Sequence, residues 1–490
     1  MNNDPNVIKI IKGSTRAQVF IHIRNPYLIM LRDVLKRKLA DYNQDPRTKV
    51  WSVQYRYYDY DKAKCRLLIP INAVNIITDE LDALGVPYQE EDEKLVEGRT
   101  IKTKMIDSFV PRPAQIPVIE YMSADLPVRK GLSTATGSGK TISAIATIVK
   151  RAKCAMVVVS GLTVQWVSQC RAFTNIGERV VLIQGVQSLM KLMEREEKPD
   201  IIVFSLETLR RYVLREENYQ DLPTYEQFIK YYGIDTKIMD EVHLNFWTGT
   251  MIDLHSNIKN NIYLTATFTS SNPQTRRIFN MVYPPDMRYG ADQRDKYIRI
   301  WSYTYSMYIP EKCYLKQRGY SHNGVEKYLF KRPQKLQHFF ETVLFPLIRS
   351  HYDSKCKPGQ KCLIYFAKID MIMAAKQWIE KEFPNRKVGV YIGESEAKAY
   401  ENYEIIVSNL KKSGTGTDIQ NLYVTINTVS FKSEPLTIQC VGRLRKLPDG
   451  TTPEYIEIVN ALIPPQIYHR NDREPIHRSI ALEYKQARIP

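Results

Sequence analysis

A strand-like run, a glycine-containing loop and a helical pattern stand in immediate succession at residues 131–150, GLSTATGSGKTISAIATIVK. No other stretch constrains the fold as much. A loop of this kind needs a parallel strand behind it and a helix N-terminus in front, so that backbone N–H groups converge on a phosphate. Thr136, Gly137, Ser138 and Gly139 supply that turn, Lys140 reaches toward β and γ phosphates, and the Thr141 hydroxyl suits Mg²⁺. The strict pattern G-x-x-x-x-G-K is one glycine short, because Thr134 stands at its first position.

The rest of the chain agrees with a parallel sheet. Short apolar runs (CAMVVVSG, RVVLIQG, DIIVFS, TKIMDEVH, NIYLTATF) alternate with helical patterns as far as residue 292. A second series (CLIYFA, VGVYIG, YEIIVSN, LYVTINTV, EYIEIVN) follows residue 335. The expected fold is therefore α/β: two tandem lobes at residues 99–292 and 336–490, each a parallel sheet with helices on both faces. Residues 293–335, rich in Tyr and Lys, read as a connector. Their basic and aromatic side chains suit either base stacking or packing against the lobes.

Residues 1–98 read as a small α+β domain. Leu28, Leu31, Leu35 and Leu39 line one face of a helical pattern that also carries Lys36, Arg37 and Lys38. Charge divides within it: residues 1–66 hold fourteen basic and six acidic residues, and the acidic run at 90–97 reads as a solvated loop. The whole chain has a formal charge of +17 and a pI near 9.3, which favours a polyanionic partner, most simply nucleic acid. The seven cysteines form no C-x-x-C pair, against a disulfide framework or a zinc site. With no apolar run long enough for a membrane span and no signal-like start, the expectation is a cytoplasmic protein without membrane contact.

Asp240 and Glu241, in IMDEVH, close an apolar strand at the end where parallel sheets collect ligands. There Asp240 suits Mg²⁺ and Glu241 suits orienting and deprotonating a water. The order P-loop, DEVH, LTATF, QCVGRLRK resembles the superfamily 2 helicases of the DExH group, over roughly residues 100–490. The resemblance implies RecA-like lobes, ATP and Mg²⁺ as cofactors, and nucleic acid as partner. It further implies that Arg112 and Gln115 bind the nucleotide's base, that Thr163, Gln165 and Ser205 touch the nucleic-acid backbone, and that His243, Thr265 and Thr267 couple hydrolysis to movement. Gly416 and Asp418 match motif V, and Gln439 and Arg443 match motif VI, whose arginines reach the γ-phosphate across the interlobe cleft. A second motif arginine is usual three residues after the first; Lys446 stands there, with Arg445 one earlier, and Arg443 keeps the clearer register.

Layout further resembles phage helicases of the UvsW type, which remodel forks and junctions in recombination and replication restart. That implies an ATP-dependent DNA helicase or translocase in the bacterial host cytoplasm, and a monomer or weak oligomer is expected; the charge run Lys36, Arg37 and Lys38 suits either DNA phosphate contact or a solvated face. Two alternatives stand: an RNA helicase or restriction-type duplex translocase, and an ATP-gated clamp without productive turnover. Intact Lys140, Asp240 and Glu241 argue against the clamp. Trp166, Trp247, Trp301 and Trp378 read as packing residues. A chain starting near residue 99 is expected to keep the ATP site.

Overall fold

The computed structural model describes residues 8–44, 50–134, 139–161, 163–265, 268–270, 272–290, 296–316, 319–392, 399–410 and 419–489. The chain forms two units that divide near residue 292.

The first unit opens with strands β1 (Ile8–Lys12) and β2 (Arg16–Phe20), then helix α1 (Pro26–Lys38). Asn25 caps α1 by accepting the Tyr27 N–H, Pro26 fits the first turn, and Leu28, Leu31, Val34 and Leu35 form its buried stripe. Strands β3 (Ala40–Gln44), β4 (Trp51–Arg56), β5 (Asp59–Asp61) and β6 (Arg66–Pro70), helix α2 (Val74–Ala83) and strand β7 (Tyr88–Asp92) complete this part. Five of these strands make one sheet in the order β5-β6-β2-β1-β7, while β3 and β4 pair as a separate antiparallel ribbon. The acidic run is a loop only from residue 93 onward. Residues 90–92 belong to β7, parallel to β1, and Glu90 and Glu91 pair with Lys12 and Lys9 at 2.6 and 2.8 Å. Charge pairing on an exposed edge strand offsets the poor strand propensity of carboxylates.

The same unit continues through α3 (Ile116–Ser123), β8 (Arg129–Ser133), α4 (Lys140–Arg151), β9 (Ala155–Val159), α5 (Thr163–Phe173), β10 (Val180–Ile183) and α6 (Val186–Met193). It ends with β11 (Ile201–Ser205), α7 (Leu206–Val213), α8 (Tyr225–Tyr232), β12 (Thr236–Asp240), α9 (Phe246–Leu254), β13 (Asn260–Thr265), α10 (Pro273–Val282) and β14 (Arg288–Tyr289). Strands β8 to β14 form an all-parallel sheet in the order β10-β11-β9-β12-β13-β8-β14. The interior strands β8, β9 and β13 are buried along their whole length, as a sheet covered on both faces requires.

The N-terminal sheet and this larger sheet share one hydrophobic core, from Ile8 and Leu31 through Val157 to Tyr283. Polar groups seal the joint. Ser14 and Thr15 donate to the carbonyls of Ile258 and Asp253 at 2.6 and 2.9 Å. Arg16, 1% exposed, donates to the Leu254 carbonyl and pairs with Glu93 and Glu226 at 2.7 and 2.8 Å. Lys64 and Arg66 reach the same Glu226. Burial alone would raise the Glu226 carboxyl, but the Arg16 charge, the Lys64 hydrogen bond and the Arg66 charge outweigh it and bring it down to about 2. Residues 1–98 are thus no detachable module, and the expectation that a chain from residue 99 keeps the ATP site is revised.

The second unit holds another seven-stranded parallel sheet. Its order is Val388–Tyr391, Ile405–Asn409, Lys361–Phe366, Leu422–Asn427, Glu454–Asn460, Arg299–Tyr305, Glu483–Arg488. Residues 299–305, placed in a connector by the sequence reading, are an interior strand between the last two segments of the chain to join the sheet. Tyr314 and Tyr328 from the same stretch are buried in this unit's core, and the Tyr320 hydroxyl pairs with His322 and accepts from Gln466. These tyrosines therefore pack rather than stack on bases. Arg318 lies outside the described residues.

Candidate ATP and nucleic-acid site

Strands β8 and β12 both run parallel to β13 and so end at the same edge of the first large sheet. Gly139 precedes α4 with φ of +87°, and a Cβ there would fall 2.4 Å from the Gln115 amide nitrogen, so only glycine fits. Lys140, the first residue of α4, folds back to donate to the Thr134 carbonyl at 2.9 Å. Thr141 follows in the same turn, half-buried. Gln115, buried, accepts the Arg112 backbone N–H at 2.9 Å, while Arg112 itself is exposed. Thr136, Gly137, Ser138, Thr267, Gly416 and Asp418 lie outside the described residues.

Asp240 ends β12, and Glu241 follows with φ of +51°, a left-handed conformation costly for a residue with a side chain. Burial raises the Asp240 carboxyl and the adjacent Glu241 charge adds to it; the Trp166 indole and the Lys140 charge pull partly back, leaving it at about 6. One Glu241 carboxylate oxygen is buried without a hydrogen-bond partner. Two crowded carboxylates with an unsatisfied oxygen fit a cation. Among the described residues no cluster of three or more His, Cys, Asp or Glu could hold a metal by itself, so a cation here must draw further ligands from nucleotide phosphates or water.

His243 sits behind this pair. Its Nδ1 lies 2.7 Å from the Thr265 hydroxyl and 3.4 Å from Glu241. Burial, assisted by the Lys140 charge, lowers the imidazole to about 4, so it is neutral near pH 7 and bonds Thr265 as a neutral ring. The structure thus joins the ends of β12 and β13 through these two side chains.

The remaining residues fall in four places. Thr163 and Gln165 open α5 at the surface edge of the lobe, with Gln165 exposed. Ser205 caps α7, accepting the Thr208 N–H and donating to the Thr208 hydroxyl, so its side chain has a structural duty that sequence reasoning did not see. Lys36, Arg37 and Lys38 form the exposed last turn of α1, favourable for the helix dipole as well as for phosphates. In the second unit, Gln439 and Arg443 are 6% and 7% exposed at and just beyond the helix Glu434–Val441. Arg445 turns back to the Gly442 carbonyl, and the Lys446 ammonium lies 5.7 Å from the Tyr297 ring.

Trp166 is the functional contact that the sequence concealed. It is buried as expected of a packing residue, yet its indole N–H donates to Asp240 at 2.9 Å. Trp247 likewise donates to the Arg56 carbonyl, from α9 to β4.

Because the Asp240 carboxyl is raised in the folded protein, its ionisation works against folding. The deficit grows as pH climbs from the ordinary carboxylate range through about 6 and is complete above that. Asp240→Asn is therefore expected to stabilise the protein by about 1–3 kcal/mol near neutral pH. Thermal melts should show a larger gain over wild type near pH ~7.5 than near pH ~5.

Two seven-stranded parallel sheets covered by helices make two tandem RecA-like lobes. Residues 112–275 match the family model of the DEAD/DEAH box helicases. That stretch, about a third of the chain, is similar to a DEAD/DEAH box helicase domain. No curated protein matches its sequence. Among solved structures, Dbp5 of S. cerevisiae bound to RNA and ADP BeF3 is 13% identical with a TM-score of 0.51, covering 77% of this chain and 90% of that one. The Type ISP restriction-modification enzyme LlaBIII bound to DNA is 14% identical with a TM-score of 0.50, covering 78% of this chain and 31% of that one. T4 UvsW covers 99% of both chains at 15% identity and a TM-score of 0.35. At these identities the likeness is one of fold. Among the described residues no helix is long and apolar enough to cross a membrane.

Proposed function

We propose that the protein is an ATP-driven DNA helicase or translocase that unwinds or branch-migrates forked and junction DNA, in recombination and replication restart. The observation that carries this reading is the exposed basic turn of α1, fixed by the shared core to the lobe that holds the ATP chemistry. A second duplex arm held there becomes a neighbour of the motor at high effective concentration, which single strands do not exploit.

In this reading Gly139 and Lys140 hold the phosphates, with Thr136, Gly137 and Ser138 in the same loop. Arg112 and Gln115 position the base, and Gly416 and Asp418 assist from motif V. Asp240 and Thr141 hold Mg²⁺, which screens phosphate charge when bound. Glu241 orients water and takes its proton, from a carboxylate already aimed by the strained backbone at its own position. Gln439 and Arg443 are the second unit's γ-phosphate groups, with Arg445 engaged on its own backbone. Thr163, Gln165 and Ser205 meet the strand backbone, and His243 relays the state of the acidic pair to Thr265 and Thr267.

Steady-state ATPase across single-stranded, duplex, forked and four-way DNA, with RNA alongside, tests this. Branched DNA should stimulate most. Reversing charge at Lys36, Arg37 and Lys38 should weaken branched-DNA binding several-fold more than single-strand binding. Equal losses on both would remove the junction role, and stimulation by RNA alone would favour an RNA helicase. DNA affinity should also fall linearly in log–log form with salt, by about 10³-fold between about 50 and 200 mM if some six phosphates are neutralised. A flat response would contradict the electrostatic reading.

A further inference from the structure

The first turn of α5 does two things within four residues. Thr163 and Gln165 lie at the lobe's surface edge, whereas Trp166 turns into the core at 2% exposure. A buried indole needs one acceptor, and a backbone carbonyl would serve. Here the acceptor is instead the Asp240 Oδ2, 2.9 Å away, on the carboxylate that closes β12. Strand β9, which leads into α5, is hydrogen-bonded directly to β12, so α5 begins beside the strand that carries the carboxylate.

A helix turn moves as a body. Any shift that seats Thr163 or Gln165 on a phosphodiester backbone displaces the Trp166 ring one turn away, and the ring holds one of the two Asp240 oxygens. We propose that Trp166 is a positioning residue that ties nucleic-acid contact at the first turn of α5 to the aim of the Asp240 carboxylate. This rests on the nucleic-acid-stimulated ATPase proposed above and deepens it: the stimulation has a named route. The indole N–H holds one of the two Asp240 oxygens. Binding of a strand changes that hold, and with it the readiness of the site.

Trp166→Phe keeps the ring and deletes the N–H. In steady-state ATPase with oligodeoxythymidylate or oligouridylate, wild type should be stimulated. The Trp166→Phe protein should lose most of that stimulation, its ratio of stimulated to basal rate falling about tenfold, while oligonucleotide affinity stays within about threefold. A merely structural tryptophan would lower stability without changing the ratio. Fluorine NMR of 5-fluorotryptophan-labelled wild type gives a readout without nucleotide or metal. The Trp166 resonance, identified as the one moved by Asp240→Asn, should shift when oligonucleotide is added, and this holds even if Trp166→Phe fails to fold. Stimulation of Trp166→Phe equal to wild type, or a Trp166 resonance indifferent to oligonucleotide, overturns the inference and leaves the proposed function standing. Absence of stimulation in wild type overturns the proposed function, and the inference with it.

Discussion

A Glu241→Gln protein is expected to bind ATP within a few-fold of wild type and to turn it over at least about 10²-fold more slowly. The amide keeps the carboxylate's shape but cannot take a proton. The structure makes the swap mild for folding, since one Glu241 oxygen is buried with no hydrogen bond to lose. Lys140→Ala should behave differently. Lys140 stands at the phosphate loop, with its ammonium on the Thr134 carbonyl, so its loss should weaken both nucleotide binding and hydrolysis. Nucleotide-binding titrations beside single-turnover hydrolysis separate the two. Near-normal turnover by Glu241→Gln would remove the assignment of the acidic pair.

Arg16→Ala is expected to cost about 3–5 kcal/mol of stability. It strips Glu93 and Glu226 of a buried partner and leaves the Leu254 carbonyl without its donor. Deleting residues 1–98 should then leave the first lobe unable to fold, read as insoluble protein or loss of the thermal transition. By contrast Lys9→Ala, which breaks an exposed pair with Glu91, should stay within about 1 kcal/mol. The Glu226 carboxyl is depressed to about 2 from 4.5, so the contribution of the joint is complete above the ordinary carboxylate range and is lost as pH falls from about 4.5 to about 2. A soluble, folded chain from residue 99 would disprove this account of the joint.

What the sequence disclosed and what it hid divide along the range of the forces involved. Gly139 and Lys140 were legible because phosphate binding demands a local backbone shape, and Asp240 because a parallel strand presents its C-terminal residue. The apolar runs declared two sheets for the same reason. Residues 299–305, RIWSYTY, escaped because Tyr, Trp and Arg mask a strand whose neighbours arrive more than 150 residues later, at Glu454 and Glu483. Residues 90–92 escaped because their strand depends on lysines of β1. Ser205 could have been found: a serine immediately before a helical pattern is a preferred helix N-cap. Trp166 could not, since its partner lies 74 residues away and nothing local distinguishes it from a core tryptophan.

The joint between the N-terminal sheet and the first lobe bears on how such a chain can be rebuilt. The β3–β4 ribbon stacks Tyr55 on Trp247, while Tyr57, just beyond β4, stacks on Phe246; both partners lie within seven residues of the DEVH acids. Asp41 of β3 accepts from Thr275 of α10. An engineer who exchanged this front section for that of another motor would therefore be editing the loop behind the acidic pair as well. A workable chimera has to carry Ser14, Thr15 and Arg16 as well as the ribbon's aromatic side chains, or redesign α8 and α9 to live without them. The seam for swapping parts in this protein lies near residue 292, not near residue 98.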